Sequence, residues 1–211
     1  MLSYDDERFL DDLEDIKKRY LMLQKKCEIY ESALEGHDDW AVPDADGSEG
    51  SFLYIPYQLG GLAETLIELS RAMPDDPDFK HSQQPIRPLT FCEIGCGIGR
   101  NVNLVKRQEV LPVSKAVGFD IIPEYVETAQ KLYGLGEDVF VHDAMTFDYS
   151  GFDLLFFYRP FVDDKLQIKF EKHLIESMKT GAILIGMSAE QLEKSRKLAP
   201  VGEVSDCYKK L

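Results

Sequence analysis

The chain has 211 residues, with 24 Lys and Arg against 38 Asp and Glu, so its formal net charge is −14. Hydrophobic residues make up 44% and charged residues 29%, ordinary for a globular protein with one sizeable core, and no apolar run approaches the roughly 20 residues that cross a bilayer. So acidic a surface repels phosphate backbones, and no run of Lys or Arg offers a local exception, which disfavours a nucleic-acid partner.

The start, "MLSYDDERFL", lacks the basic end and apolar centre of a secretory leader. The four cysteines, Cys27, Cys92, Cys96 and Cys207, form no C-x-x-C pair and have no nearby His. They read as reduced thiols of a cytoplasmic protein, and no metal site is expected.

From Asp5 to Glu35 the spacing predicts one long helix. Phe9, Leu13, Ile16, Tyr20, Leu23, Cys27, Tyr30 and Leu34 recur four and three apart, a heptad stripe that needs cover. Two covers are open: the same helix of a second chain, making a homodimer, or the chain's own domain. The stretch "HDDWAVPDADGSE" after Gly36 reads as an acidic linker. Residues 1–50 are therefore expected to form a helix-and-linker unit, and 51–211 the main domain. The main domain opens with an amphipathic helix carrying Leu62, Leu66, Ile67 and Leu69, stopped near Met73 by "PDDPD".

From Leu89 onward strands and helices alternate. "LTFCEIG", "KAVGFDI", "DVFVHDA", "FDLLFFY" and "GAILIGM" read as strands. "RNVNLVKRQEV", "PEYVETAQKLY", "DDKLQIKFEKHLIESMK" and "AEQLEKSRKLA" read as helices, with Pro123 in a first turn and Asp163 or Asp164 as an N-cap. Alternation of this kind predicts an α/β fold with a doubly wound, mostly parallel sheet and helices on both faces. After the last predicted helix the sequence has room for one good strand, so the sheet edge is expected to be curtailed.

Ligands of such sheets bind where the strands end. There the chain carries Gly95, Gly97 and Gly99 after the first strand, Asp120 after the second, Asp143 after the third, and Tyr158, Arg159 and Pro160 after the fourth. Glycines let a ligand approach the backbone. A carboxylate at Asp120 can accept both hydroxyls of a ribose, and one at Asp143 can accept from an adenine amine. Each also has a plainer reading, Asp120 as a helix cap and Asp143 as a turn acid. Two carboxylates without a phosphate-binding lysine suggest a ribonucleoside that is not a polyphosphate. Arg100 stands where a dinucleotide fold has its third glycine, and the acid Glu93 would repel a pyrophosphate.

The segment "EIGCGIGRN" resembles the first motif of the class I S-adenosylmethionine-dependent methyltransferases, an acid followed by G-x-G-x-G. "VGFDIIPEYVETAQ", "VFVHDAMTFDY" and "FDLLFFYRPF" resemble that family's ribose, adenine and substrate-facing segments, so the likeness covers roughly residues 54 to 211. It implies a Rossmann-like fold and S-adenosylmethionine as cofactor. It implies cofactor contacts from Glu93, Gly95, Cys96, Gly97, Gly99, Asn101, Asp120, Ile121, Asp143, Ala144 and Tyr158. Tyr57 and Arg159 are candidates for the methyl acceptor, a small molecule or a protein. "YRPF" lacks the Asn-Pro-Pro-aromatic motif of members that methylate adenine or glutamine amines. No general base stands out, so no catalytic residue is assigned. A nicotinamide-dependent oxidoreductase and a non-catalytic scaffold joined to partners through the first helix are the alternatives.

Overall fold

The computed structural model describes residues 11–19, 21, 22, 25, 57–82 and 86–211. Helix α1 covers 11–19 and is helical at 21, 22 and 25. The remaining helices are α2 (Leu59–Ala72), α3 (Arg100–Arg107), α4 (Pro123–Tyr133) and α5 (Asp164–Ser177). The strands are β1 (Leu89–Ile94), β2 (Val113–Asp120), β3 (Val139–Val141), β4 (Leu154–Tyr158), β5 (Ile183–Met187), β6 (Leu198–Pro200) and β7 (Cys207–Lys210). They form one sheet in the order β3-β2-β1-β4-β5-β7-β6. The first five run parallel, while β7 is antiparallel to both β5 and β6.

Alternation along the central strands builds two cores. Phe91, Leu154, Phe156, Ile183 and Ile185 point to the face covered by α2 and α3, where Leu62, Leu66, Leu69 and Val102 meet them. Cys92, Leu155, Phe157 and Leu184 point to the face covered by α5, against Phe170 and Leu174. Each fully buried Phe or Leu stabilises the fold by about 1.5–3 kcal/mol. Apolar burial on both faces thus holds the sheet, which frees the strand ends to carry polar groups.

Local chemistry sets the helix ends. The Asp163 side chain accepts from Leu166 N at 2.9 Å and starts α5. Helix α3 stops at Arg107, sooner than "RNVNLVKRQEV" predicts, because the Gln108 Oε1 accepts from Val110 N and Leu111 N, each at 2.8 Å. The predicted helix "AEQLEKSRKLA" is not formed. Leu192–Lys194 makes one tight turn and Leu198–Pro200 pairs with β7. Leu192 and Leu198 are both buried, and residues six apart do not share a helix face. The expected curtailed edge is corrected too: residues 198–210 supply two strands, short but paired.

Of the long predicted stripe, Leu13 is buried and Ile16 packs on the core that holds Leu62 and Leu66. Lys17 pairs with Glu64 of α2 at 3.4 Å. These contacts are made within the chain. Phe9, Tyr20, Leu23, Cys27, Tyr30 and Leu34, the acidic linker and the expected boundary at residue 50 lie outside the described residues.

The amino ends of the strands are closed by charge. Asp153, only 3% exposed, accepts from Arg87 at 2.7 Å, Lys179 at 2.7 Å, and the main-chain N and hydroxyl of Thr90 at 2.8 and 2.9 Å. The buried ring of Phe79 lies under both Arg87 and Lys209, and Lys209 also pairs with Asp76 and Asp78. No helix among the described residues is long and apolar enough to cross a membrane.

Candidate functional site

At the opposite end, β1 leaves the sheet into the loop 95–99. Gly95, Gly97 and Gly99 have φ of 70, 50 and 74°, a region that L side chains enter at a cost. Gly99 caps α3, and a Cβ there would stand 2.6 Å from Leu135 Cδ1 and 2.9 Å from Ala129 Cβ. The loop is held to the neighbouring strand by Gly95 N and Cys96 N, both donating to Phe119 O at 2.9 Å. The Cys96 side chain turns into the core, where Gly118 leaves room for it. Burial pushes its thiol well above the ordinary range, so only its main chain can face a ligand.

Glu93 is the next-to-last residue of β1 and is 4% exposed. Its Oε1 accepts from Asn101 Nδ2 at 2.7 Å. Its Oε2 and the Oδ1 of Asn101 are buried without a hydrogen-bond partner among the described residues. Burial raises the Glu93 carboxyl to about 8, against the pull of the Asn101 amide and the Val102 main chain.

Asp120 ends β2 and is 8% exposed. Its Oδ2 accepts from Gly97 N at 2.8 Å and its Oδ1 from Ile122 N at 3.0 Å. The carboxylate thus ties the glycine loop to the start of α4. Burial raises its pKa even so. Each oxygen keeps a lone pair for a further donor. Its neighbour Ile121 is 38% exposed, an open apolar side chain at the strand end.

The β2 and β3 ends are joined by His142 N donating to Asp120 O at 3.0 Å. Asp143 follows, half-buried, with Oδ1 accepting from Met145 N at 2.8 Å. That is the turn role the residue type allows. The Ala144 carbonyl is held by the Tyr149 hydroxyl at 2.7 Å. His142 turns instead to the aromatic face, its ring 5.0 Å from that of Phe147 and 5.8 Å from that of Phe119.

Tyr158 ends β4 with 37% of its surface exposed, and its ring lies 5.4 Å from that of Tyr57. Tyr57 also touches Phe156, and its hydroxyl reaches Met187 Sδ at 3.6 Å, a weak bond to sulfur. Gly61 makes this arrangement possible, since a Cβ there would be 2.8 Å from the Tyr57 hydroxyl. The two tyrosines are thus brought together from segments far apart in the chain.

Arg159 is engaged by its own chain. Its Nη1 donates to Glu190 Oε1 at 2.8 Å and its Nη2 to Asp164 Oδ1. Both terminal nitrogens face carboxylates, so the guanidinium braces the segment after β4 against the segment after β5. The latter is itself pinned by Glu171 of α5, fully buried, which accepts from Glu190 N and Gln191 N.

Sequence reasoning singled out Arg159 but missed Ser188 and Asp206, and the backbone conformation of all three. Arg159, Ser188 and Asp206 have φ of 30, 56 and 56° without being glycine. They stand after β4, after β5 and before β7, all at the same end of the sheet, and strain of this kind concentrates at functional sites. Met187 and Gly61 were also passed over. Only the Gly60-Gly61 pair left a visible signal.

No protein-family model and no curated protein matches the chain. Among solved structures it is similar to an RNA methyltransferase from Salinibacter ruber in complex with S-adenosyl-L-homocysteine. That likeness has 17% identity, 69% of this chain and 86% of the other covered, and a TM-score of 0.48. It is similar to CalS10, an amino pentose methyltransferase from Micromonospora echinaspora, at 16% identity, with 63% and 50% covered and a TM-score of 0.42. It is also similar to phosphoethanolamine N-methyltransferase 1 of Haemonchus contortus, at 18% identity, with 59% and 26% covered and a TM-score of 0.39. The chain therefore spans half or less of the last two. All three TM-scores are below 0.5, so function rests on the geometry of the site itself.

Proposed function

We propose that the chain is a cytoplasmic S-adenosylmethionine-dependent methyltransferase acting on a small-molecule or protein acceptor. The observation that carries this reading is the pair of buried acceptors without donors at the glycine loop, Glu93 Oε2 and Asn101 Oδ1. A buried acceptor left unpaired costs about 1–3 kcal/mol. A ligand end rich in N–H donors, such as the ammonium of an amino acid, satisfies both. The buried, unbridged thiols of Cys92, Cys96 and Cys207 support the cytoplasmic part of the reading.

S-adenosylmethionine supplies a methyl group on a sulfonium, already activated for displacement. The chain then has to bind, orient and exclude water. Glu93, Asn101 and the main chain of Gly95, Cys96, Gly97 and Gly99 take the methionine end. Asp120 takes the ribose with its remaining lone pairs, beside Ile121. Asp143 and the Ala144 main chain take the adenine. Tyr158 stands at the boundary between cofactor and acceptor, and Tyr57 and Met187 continue that wall. Arg159 was the other candidate for the acceptor. With both terminal nitrogens on Glu190 and Asp164, its role becomes to position the Tyr158 strand end. A base is required only for an acceptor that must lose a proton, and none is assigned.

Titration calorimetry with S-adenosylmethionine, S-adenosylhomocysteine and NAD tests the reading. Micromolar heat with the first two is expected. Binding of NAD alone would move the chain to the oxidoreductases. Cofactor binding with no methyl transfer to any protein or metabolite fraction would leave the scaffold reading.

A further inference from the structure

Among the described residues, one cavity inverts the sign of the chain. It has a volume of about 250 Å³ and lies between the C-terminal half of α5 and the segment 191–197. Lys172, Lys194, Arg196 and Lys197 line it, with Ser195 and a single carboxylate, Glu176. Both oxygens of Glu176 are taken by Lys197 Nζ. Lys194 Nζ donates to the Glu190 carbonyl at 2.9 Å. Lys172 and Arg196 are exposed and have no ion pair or hydrogen bond among the described residues. Four cations thus converge on one small space in a chain whose net charge is −14.

Their convergence is built rather than incidental. A helix over 189–199 would have set Arg196 about 160° away from Lys194 around its axis. The tight turn at Leu192–Lys194 and strand β6 hold them on one side instead. Leu192 and Leu198 are buried at either end of the segment, and Glu171 holds its start through Glu190 N and Gln191 N. Holding like charges together costs free energy that a bound anion recovers.

We propose that this cavity is a binding site for a small phosphate-bearing anion, with Arg196 and Lys172 as its charged donors and the Ser195 hydroxyl beside them. The Ser195 oxygen accepts from Lys197 N at 3.3 Å, which leaves its proton free to donate. An Arg fork and a Lys ammonium are the usual partners of a phosphate dianion. The volume is below the roughly 300–1,000 Å³ of sites for larger ligands, so it suits one phosphate group and little more. A small dianion responds to charges within about 10 Å, and the lining sets four cations against one carboxylate. A long polyanion would also meet the acidic remainder of the surface.

The test is a titration of isotope-labelled protein with inorganic phosphate, followed by amide NMR shifts. One saturable event is expected, with shifts centred on Lys172 and residues 191–197. The charge reversals K172E and R196E should each weaken it at least about tenfold. R196Q, a milder change at an exposed position, should weaken it in the same direction. K115E makes the same net-charge change on β2 and should leave it unaltered. Shifts that do not saturate, or an equal loss in K115E, would overturn the site. A short single-stranded RNA that binds these residues more tightly than phosphate would overturn the small-anion assignment in favour of a nucleic-acid surface.

Discussion

At the amino ends of the strands, Asp153 receives hydrogen bonds from Arg87, Lys179 and Thr90, and its carboxyl is held far below the ordinary range despite burial. At the carboxyl ends, Glu93 is as deeply buried but has only the Asn101 amide and the Val102 main chain to lower it, and its carboxyl is raised to about 8. Both acids sit on or beside central strands of the same sheet. The difference is the supply of donors. One end uses its charge to hold the fold together, and the other keeps acceptors in reserve, which is the arrangement a ligand site needs.

Breaking the satisfied end should have the largest effect on stability. Asp153→Ala removes the shared partner of two cations, and about 3 kcal/mol of stability should go with it. Arg87 and Lys179 are partly exposed and can rehydrate, which keeps the loss at the low end of such cases. Urea denaturation measures it, and affinity for S-adenosylhomocysteine should stay the same. A fall in affinity would couple two ends that the comparison separates.

The starved end should respond with the opposite sign. The Glu93 carboxyl is raised on folding, so the folded chain holds a proton that the unfolded chain releases above its ordinary pKa of 4.5. Wild-type stability should therefore fall as pH rises from about 4.5 to about 8 and then level off. Glu93→Gln removes the ionisation but leaves an amide poorly paired. The net gain should be about 2 kcal/mol at pH 9, with none at pH 4. Equal pH profiles for the two proteins would show that Glu93 is not starved of donors.

Asp120 lies between these extremes, since the main chain of Gly97, Ile121 and Ile122 lowers it and burial still raises it. Asp120→Ala would free the amides of Gly97 and Ile122 as well as any ribose. Asp120→Asn keeps one oxygen and isolates the ligand effect. It should weaken cofactor binding about tenfold, or about 1.4 kcal/mol, by calorimetry. Unchanged affinity would reduce the residue to the cap of α4. The smallest expected effect is that of Ile16→Lys, about 1 kcal/mol from a half-buried contact on the α2 core. Light scattering should show an unchanged mass, and a shift from dimer to monomer would favour the homodimer reading of the first helix.

Much of this was legible in the sequence. Five parallel strands could be read from apolar runs, and the glycines and acids fall at strand ends because the topology puts loops there. Asp120 and Asp143 were legible as acids at strand ends, with a cap and a turn as their plainer roles, but the bond from Gly97 N to Asp120 was not. That bond depends on φ and ψ that residue types do not reveal. Arg159 looked like a free cation because its partners, Asp164 and Glu190, are set by the fold. The last predicted helix failed because "AEQLEKSRKLA" has helical composition, whereas burial of Leu192 and Leu198 with pairing to β7 outweighs propensity. The wall of Tyr57, Tyr158 and Met187 joins three distant segments, and nothing local announces it.

The most direct measurement is a calorimetric titration of S-adenosylhomocysteine into wild-type protein and Glu93→Gln at pH 7.5, each checked for folding by circular dichroism. One ligand should bind per wild-type chain at micromolar affinity, and the variant should bind at least about tenfold more weakly, because the ligand ammonium lowers the raised Glu93 pKa and ionises it on binding, a charge the amide cannot supply. A folded variant that binds as tightly as wild type, or a wild-type chain that gives no heat, would contradict the claim that the acceptors held at the carboxyl ends are there for a cofactor.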